Sequence, residues 1–168
     1  MALQKISSYG YRRIGMTVAE QFDKNIGGNF TGGFFAAQKL YNIPGVNSLL
    51  LTDEAGLRMK TAKAKQSFQR WLEKTKPDAV LTADPCIPAL LRELGYRIPQ
   101  DIAVAGTGID VPVDAGIDQH SEAIGRMAVE MLVSQINLNE RGEPEDPSRI
   151  LIESRWRDGK SLPVRKKS

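Results

Sequence analysis

Cysteine and histidine are almost missing from this 168-residue chain, where Cys86 and His120 stand alone. A single cysteine excludes an internal disulfide and any multi-cysteine metal site, and clustered imidazole and thiolate ligands are wanting altogether. Neither a metal nor a cofactor is expected. Long apolar runs are also lacking: none approaches the roughly 20 residues that cross a bilayer, and the opening MALQKISSYG has no signal-peptide core. The expectation is a soluble, cytoplasmic protein without a membrane partner. Strong charge of one sign is absent too, since the net charge is +3 and the isoelectric point 9.0. That is too mild to argue nucleic-acid contact without a recognition element. What is present is ordinary for a globular domain with a real core: 41% hydrophobic and 26% charged residues.

The most informative stretch is KPDAVLTADPCIPALLRELGYRIPQDIAVAG, residues 76–106. Residues 79–82 and 102–105 are short apolar runs without polar alternation, the pattern of parallel strands buried on both faces. Between them Pro88 suits a first helical turn, Ala89, Leu90, Leu91 and Leu94 follow, and Gly95 stands where a left-handed cap ends a helix. A crossover helix joining two parallel strands implies an α/β fold, a parallel sheet flanked by helices in three layers, with right-handed connections.

Elsewhere residues 2–9 read as a short helix closing at Gly10, residues 12–18 as the first strand and residues 19–26 as a polar loop. After the glycine-rich GGNFTGG, Phe30, Phe34, Ala37 and Tyr41 recur at helical spacing, and residues 46–51 form a second strand bounded by Thr52 and Asp53. Residues 55–76 are the clearest amphipathic helix, with Leu57, Thr61, Ala64, Phe68, Trp71 and Leu72 on one stripe. Its cations, among them Arg58, Lys60, Lys63, Lys65, Arg70 and Lys74, form a solvated face or a phosphate-contacting one; no aromatic or asparagine is interleaved among them to read bases. Residues 106–116 are a loop, residues 115–117 a short strand, and residues 121–138 a helix whose apolar surface is widened by Val129, Val133 and Ile136. Such a helix expects cover on more than one side. Residues 141–147 read as a linker, residues 149–155 as the last strand, and Lys166 and Lys167 lie in a disordered tail.

No constellation compels catalysis. Asp118, His120 and Ser121 are neighbours in sequence, but a triad is a geometric object, and His120 reads as a capping or packing residue. Cys86 reads as a small packing residue rather than a reactive thiol. Gly27, Gly28, Gly32 and Gly33 lack the lysine and spacing of a phosphate loop, and Gly106 and Gly108 lack a third glycine. Binding is better supported, because in an open α/β sheet the loops after successive strands share one edge, where ligands sit. Carboxylates and amides that pair with hydroxyls, and an aromatic ring face, would suit a carbohydrate. Asp84, Asp110, Asp114 and Gln119 offer the polar groups, with Phe22, Asp23 and Asn25 able to join them. The alternative is that these are turn residues only.

The blocks PDAVLTAD, LRELGYRIPQDIAVAG, AGIDQ, IGRMAVEML and RILIESRW, preceded by YGYRRIGM and GGFFAAQ, resemble in order and spacing the effector-binding domain of lactose-repressor-type bacterial regulators. That domain has the periplasmic-binding-protein-like fold, and the likeness covers nearly all of the chain. It implies that residues 1–118 form a truncated C-terminal effector-binding lobe. Residues 119–148 would then be a crossover helix and linker that pack on a first lobe, residues 149–160 would hold the final strand, and residues 161–168 the tail. Phe30 takes the place of a usual arginine, Ala83 and Asp84 that of Asn-Asp, and Gly108 that of an aspartate unless it has slipped to Asp110. Gln119 matches a ligand-side glutamine. Effector contacts are thus expected from Phe22, Asn25, Phe30, Asp84, Asp110 and Gln119, with the usual sugar contacts altered enough to question a simple monosaccharide. By the same resemblance the chain is the ligand-sensing, dimerising part of a regulator and not an enzyme. It would bind a small carbohydrate-like effector as a homodimer and reach operator DNA only through a helix-turn-helix outside this stretch. A solute-binding protein of a transporter and a small flavodoxin-like enzyme are the alternatives.

Overall fold

The computed structural model describes residues 1–43, 48–52, 61–108, 110–142 and 148–165, with the backbone alone at residues 51 and 52. These fall into two compact units, Met1–Ile117 with Trp156–Ser168, and Asp118–Arg155.

Six strands form one sheet: β1 (Ile14–Ala19), β2 (Ser48–Thr52), β3 (Ala79–Thr82), β4 (Ala103–Gly106), β5 (Gly116–Asp118) and β6 (Arg155–Arg157), in the order β2-β1-β3-β4-β5-β6. The ladders from β2 across to β5 are parallel. Period-two alternation divides the strand side chains between two cores. Ala79, Leu81, Ala103 and Ala105 face a cluster with α1 (Ala2–Ser8) and α3 (Asn29–Leu40), through Leu3, Ile6, Phe34 and Ala37. Val80 and Val104 face the opposite cluster with α4 (Ala62–Thr75) and α5 (Ile87–Glu93), through Phe68, Trp71, Leu72, Leu90 and Leu91. Helices therefore cover both sides of the sheet, and the three-layer α/β/α expectation holds.

Local chemistry sets the boundaries of these elements. The Thr61 hydroxyl accepts the Ala64 N–H at 3.1 Å and caps α4. At the other end Lys76 takes a left-handed conformation (φ 44°) while its N–H reaches Leu72 O at 2.8 Å. Pro88 sits in the first turn of α5, and Gly95 (φ 88°) follows its end. In β1 a glycine is required for close packing, since a Cβ on Gly15 would lie 2.4 Å from the Trp71 ring.

Some expectations are corrected. The loop foreseen at residues 19–26 contains α2 (Glu20–Asn25). This helix has no apolar stripe and is laced by i,i+4 pairs instead, Lys24 to Glu20 at 2.7 Å and Gln21 to Asn25 at 2.8 Å. Strand β1 begins at Ile14 rather than residue 12, because the N–H groups of Arg12 and Arg13 go to the Asp78 carboxylate. The starts of the second strand and of the long amphipathic helix, with Leu57, Arg58, Lys60 and the Thr52–Asp53 cap, lie outside the described residues, as do residues 143–147 of the linker and the Lys166–Lys167 tail.

Within the second unit, α6 (Ser121–Asn137) has no buried side chain; Val129, Leu132 and Ile136 are 61%, 55% and 66% exposed. The last strand is β6, not residues 149–155. Residues 148–154 show no ladder, and Ile150 and Leu151 are exposed, because strand propensity alone forms no strand without a neighbour to pair with.

Candidate functional site

Strand order reverses at β1: the chain leaves it through α3 for β2 on one side, then returns through α4 to β3 on the other. Adjacent crossovers on opposite faces leave a crevice beyond the carboxyl ends of β1 and β3, the place where open α/β sheets take ligands.

Three buried threonines build the floor of this switch point. Thr17 and Thr82 are register partners, and Thr17 donates its hydroxyl to Thr82 Oγ1 at 2.8 Å. Thr82 Oγ1 also accepts the Asp84 N–H at 2.9 Å, and Thr82 O accepts the N–H of Thr107, the residue after β4. Threonine ends these apolar strands because its hydroxyl can satisfy the backbone groups that the ladder leaves open. Sequence reasoning missed this trio, although a hydroxyl at the end of each strand in MTVA, VLTAD and AVAGT was a visible signal.

Asp84 is the residue that this network positions. It is 4% exposed, and its Oδ1 accepts the Cys86 N–H at 2.8 Å, holding the turn that leads into α5. Its Oδ2 is buried and has no hydrogen-bond partner among the described residues. Burial pushes the carboxyl above the usual aspartate range, against the hydrogen bonds from Cys86 that pull it down. A buried acceptor without a donor is the kind of group that a ligand hydroxyl or amine satisfies.

The other expected residues are distributed as follows. Phe22 in α2 and Phe30 in α3 follow β1 and form a ring pair, with centroids 5.9 Å apart and planes tilted by 35°. Phe22 is 40% exposed, which leaves ring surface available beside a polar edge. Asn25 accepts from Gln21, and Asp110 is exposed after β4. The loops after β1, β3 and β4 thus bring Phe22, Asn25, Phe30, Asp84 and Asp110 to one edge of the sheet. Gln119 is exposed and belongs to the second unit.

Two aspartates considered as ligand groups are occupied structurally. The buried Asp23 accepts the Phe30 and Thr31 N–H groups and the Thr31 hydroxyl, so it caps α3. Asp114 accepts the N–H groups of Lys160 and Ser161, both at 2.8 Å, and fixes the returning C-terminal segment. His120 stands at the N-cap of α6 without a side-chain capping bond; the Asp118 carboxylate accepts the His120 N–H at 2.9 Å. No group of three or more histidine, cysteine, aspartate or glutamate side chains suited to a metal occurs among the described residues. No helix among them is long and apolar enough to cross a membrane.

The sequence matches the periplasmic binding protein-like domain across residues 3–162. The chain belongs to that family. Solved structures of similar fold include a LacI-family transcriptional regulator from Enterococcus faecium with bound ribose (TM-score 0.71, 18% identity, 98% of this chain and 61% of that one). Another, from Arthrobacter in complex with lactose, has a TM-score of 0.68 at 19% identity, over 95% of this chain and 60% of that one. A third, from Silicibacter pomeroyi, has a TM-score of 0.64 at 25% identity, over 96% and 50%. This periplasmic binding protein-like chain therefore spans half to three fifths of those regulators. No curated protein matches it by sequence.

Proposed function

We propose that this chain is the effector-sensing part of a lactose-repressor-type transcriptional regulator, and that it holds a small polar effector, a sugar or a derivative, in the switch-point crevice. The observation that carries this reading is the unpartnered, buried Oδ2 of Asp84 at that crevice. An effector hydroxyl would donate to it, the Phe22 and Phe30 rings would offer an apolar surface to the sugar face, and Asn25 and Asp110 would supply further polar contacts. Ribose and lactose in the Enterococcus and Arthrobacter structures support the carbohydrate class. The chain would work as a cytoplasmic homodimer without catalysis, and would reach operator DNA through a helix-turn-helix outside this stretch. The exposed apolar face of α6 would be covered in the assembled regulator. Residues 119–148 would serve as the crossover to another lobe.

The test is a thermal-unfolding screen against sugars, sugar acids and polyols, repeated with Asp84→Asn. An effector at about 100 times its dissociation constant adds roughly 2.7 kcal/mol, a rise of several degrees for a domain of this size. A shift that disappears in Asp84→Asn is expected. A shift that persists in the variant removes Asp84 from the site, and no shift with any class in a cooperatively melting protein removes sensing from this chain.

A further inference from the structure

We propose that the opposite, amino-terminal edge of the sheet carries a second small-molecule site, selective for a monoanionic organic carboxylate on an apolar or aromatic body. The first residues of β1, β3 and β4 stand in one row, Ile14 beside Ala79 and Ala79 beside Ala103. What precedes each strand therefore converges, and a cleft of about 410 Å³ opens there. That is within the range of sites for small ligands, roughly 300–1,000 Å³.

Its walls are mixed in a way that suits such a ligand. Leu72, Pro77 and Ile102 are buried and form apolar surface, and Tyr96 adds a half-buried ring. Arg13 and Lys76 supply the charge. Arg13 is held at two points: its N–H donates to Asp78 Oδ1 at 2.9 Å, and its Nε donates to Lys76 O at 2.6 Å. The second bond fixes the plane of the guanidinium and leaves its two terminal nitrogens without a carboxylate partner among the described residues. A paired N–H fork of this kind matches the two oxygens of a carboxylate. Lys76 forms no ion pair among the described residues either.

Two acids also line the cleft. Asp101 is neutralised by Arg97, which donates to it through Nε at 2.9 Å and Nη2 at 2.8 Å. Among the described residues Glu73 has only the Gln69 amide, at 3.0 Å. Two cations against one uncompensated acid leave the cleft singly positive, which favours a monoanion over a polyphosphate. Glu73 in turn favours an occupant that carries a hydroxyl or amine donor.

The experiment titrates para-hydroxybenzoate, and its uncharged amide para-hydroxybenzamide, into the whole chain by ligand-observed NMR. Saturable binding of the carboxylate at millimolar concentration or below is expected, with the amide about tenfold weaker. Arg13→Gln and Lys76→Asn are each expected to weaken the carboxylate by about tenfold, whereas Asp84→Asn leaves it unchanged. Equal binding of the amide, no saturation by the carboxylate, indifference to both cleft variants or sensitivity to Asp84→Asn would each overturn the proposal. Should Arg13→Gln fail to fold, Lys76→Asn decides alone, because asparagine accepts the left-handed backbone found at Lys76 (φ 44°).

Discussion

Replacing Asp84 by asparagine should make the protein more stable while removing the proposed effector contact, and pH exposes the reason. Once ionised, Asp84 in the folded chain is a buried carboxylate with one oxygen bonded to Cys86 N–H and the other without a partner among the described residues. An unsatisfied buried polar group costs about 1–3 kcal/mol, and more when it is charged. Asparagine keeps an acceptor for Cys86, weakening that bond by about 1 kcal/mol, and puts a neutral NH2 in the open position, so that only the excess cost of burying a charge is recovered. The balance is a gain of about 1 kcal/mol, or roughly 2–4 °C. Burial holds the folded carboxyl above its ordinary 3.8, so in the window between the two values the folded chain keeps a proton that the unfolded chain has released. There the unfolded state binds fewer protons, and the wild type loses stability as pH rises through the window. Asp84→Asn lacks this loss. Its advantage should be small below 3.8 and should grow as pH rises above it. Urea unfolding followed by Trp71 and Trp156 fluorescence across an acid-to-neutral series reads the difference directly. A gap of the same size at every pH, or a variant less stable at neutral pH, would refute the reasoning.

Asp78→Ala removes the acceptor shared by the Arg12 and Arg13 N–H groups and Arg165; urea unfolding should show a loss of about 2–4 kcal/mol, since three donors are left without their partner. Gly15→Ala sets a methyl against the Trp71 ring, where a Cβ would sit 2.4 Å away. The same assay should report a loss of about 1–3 kcal/mol, with Trp71 emission changed as the ring is displaced. Leu132→Glu alters a side chain that is 55% exposed on α6. Its effect on stability should stay within about 0.5 kcal/mol, while any concentration-dependent mass seen by sedimentation should fall.

The layers were legible because burial on both faces writes short, unbroken apolar runs: AVLT is the strand read at residues 79–82, and AVAG lies one residue on from the strand read at 102–105. Elements stabilised by polar pairing were not legible. Helix α2 has no stripe for periodicity to find, and its order comes from the Lys24–Glu20 and Gln21–Asn25 pairs and from Asp23, whose partners lie seven and eight residues further on. Residues 149–155 failed in the reverse direction. ILIE has the apolar character and β-branching of a strand, yet a strand also requires a neighbour, and a local pattern does not say whether one is present. The site was legible as an edge but not residue by residue. A threonine near the end of each strand was visible, but strand order could not be read from the sequence, so it did not follow that the three meet at the switch point.

Asp78 and Asp84 show why residue type could not separate structural from functional carboxylates. They flank the same strand, PDAVLTAD, and both are buried, 9% and 4% exposed. At the amino end, Asp78 accepts two backbone N–H groups and the Arg165 guanidinium, which also lies 4.2 Å from the Tyr11 ring centroid and ties the C-terminal segment down. At the carboxyl end, Asp84 accepts one N–H and, among the described residues, leaves an oxygen over. A purely structural carboxylate gains from every donor that it collects, so folding favours saturating it. Leaving one buried oxygen open opposes folding unless a partner arrives from outside the chain. The difference between these two aspartates is therefore an argument for a ligand at the switch point that does not depend on the resemblance to any regulator.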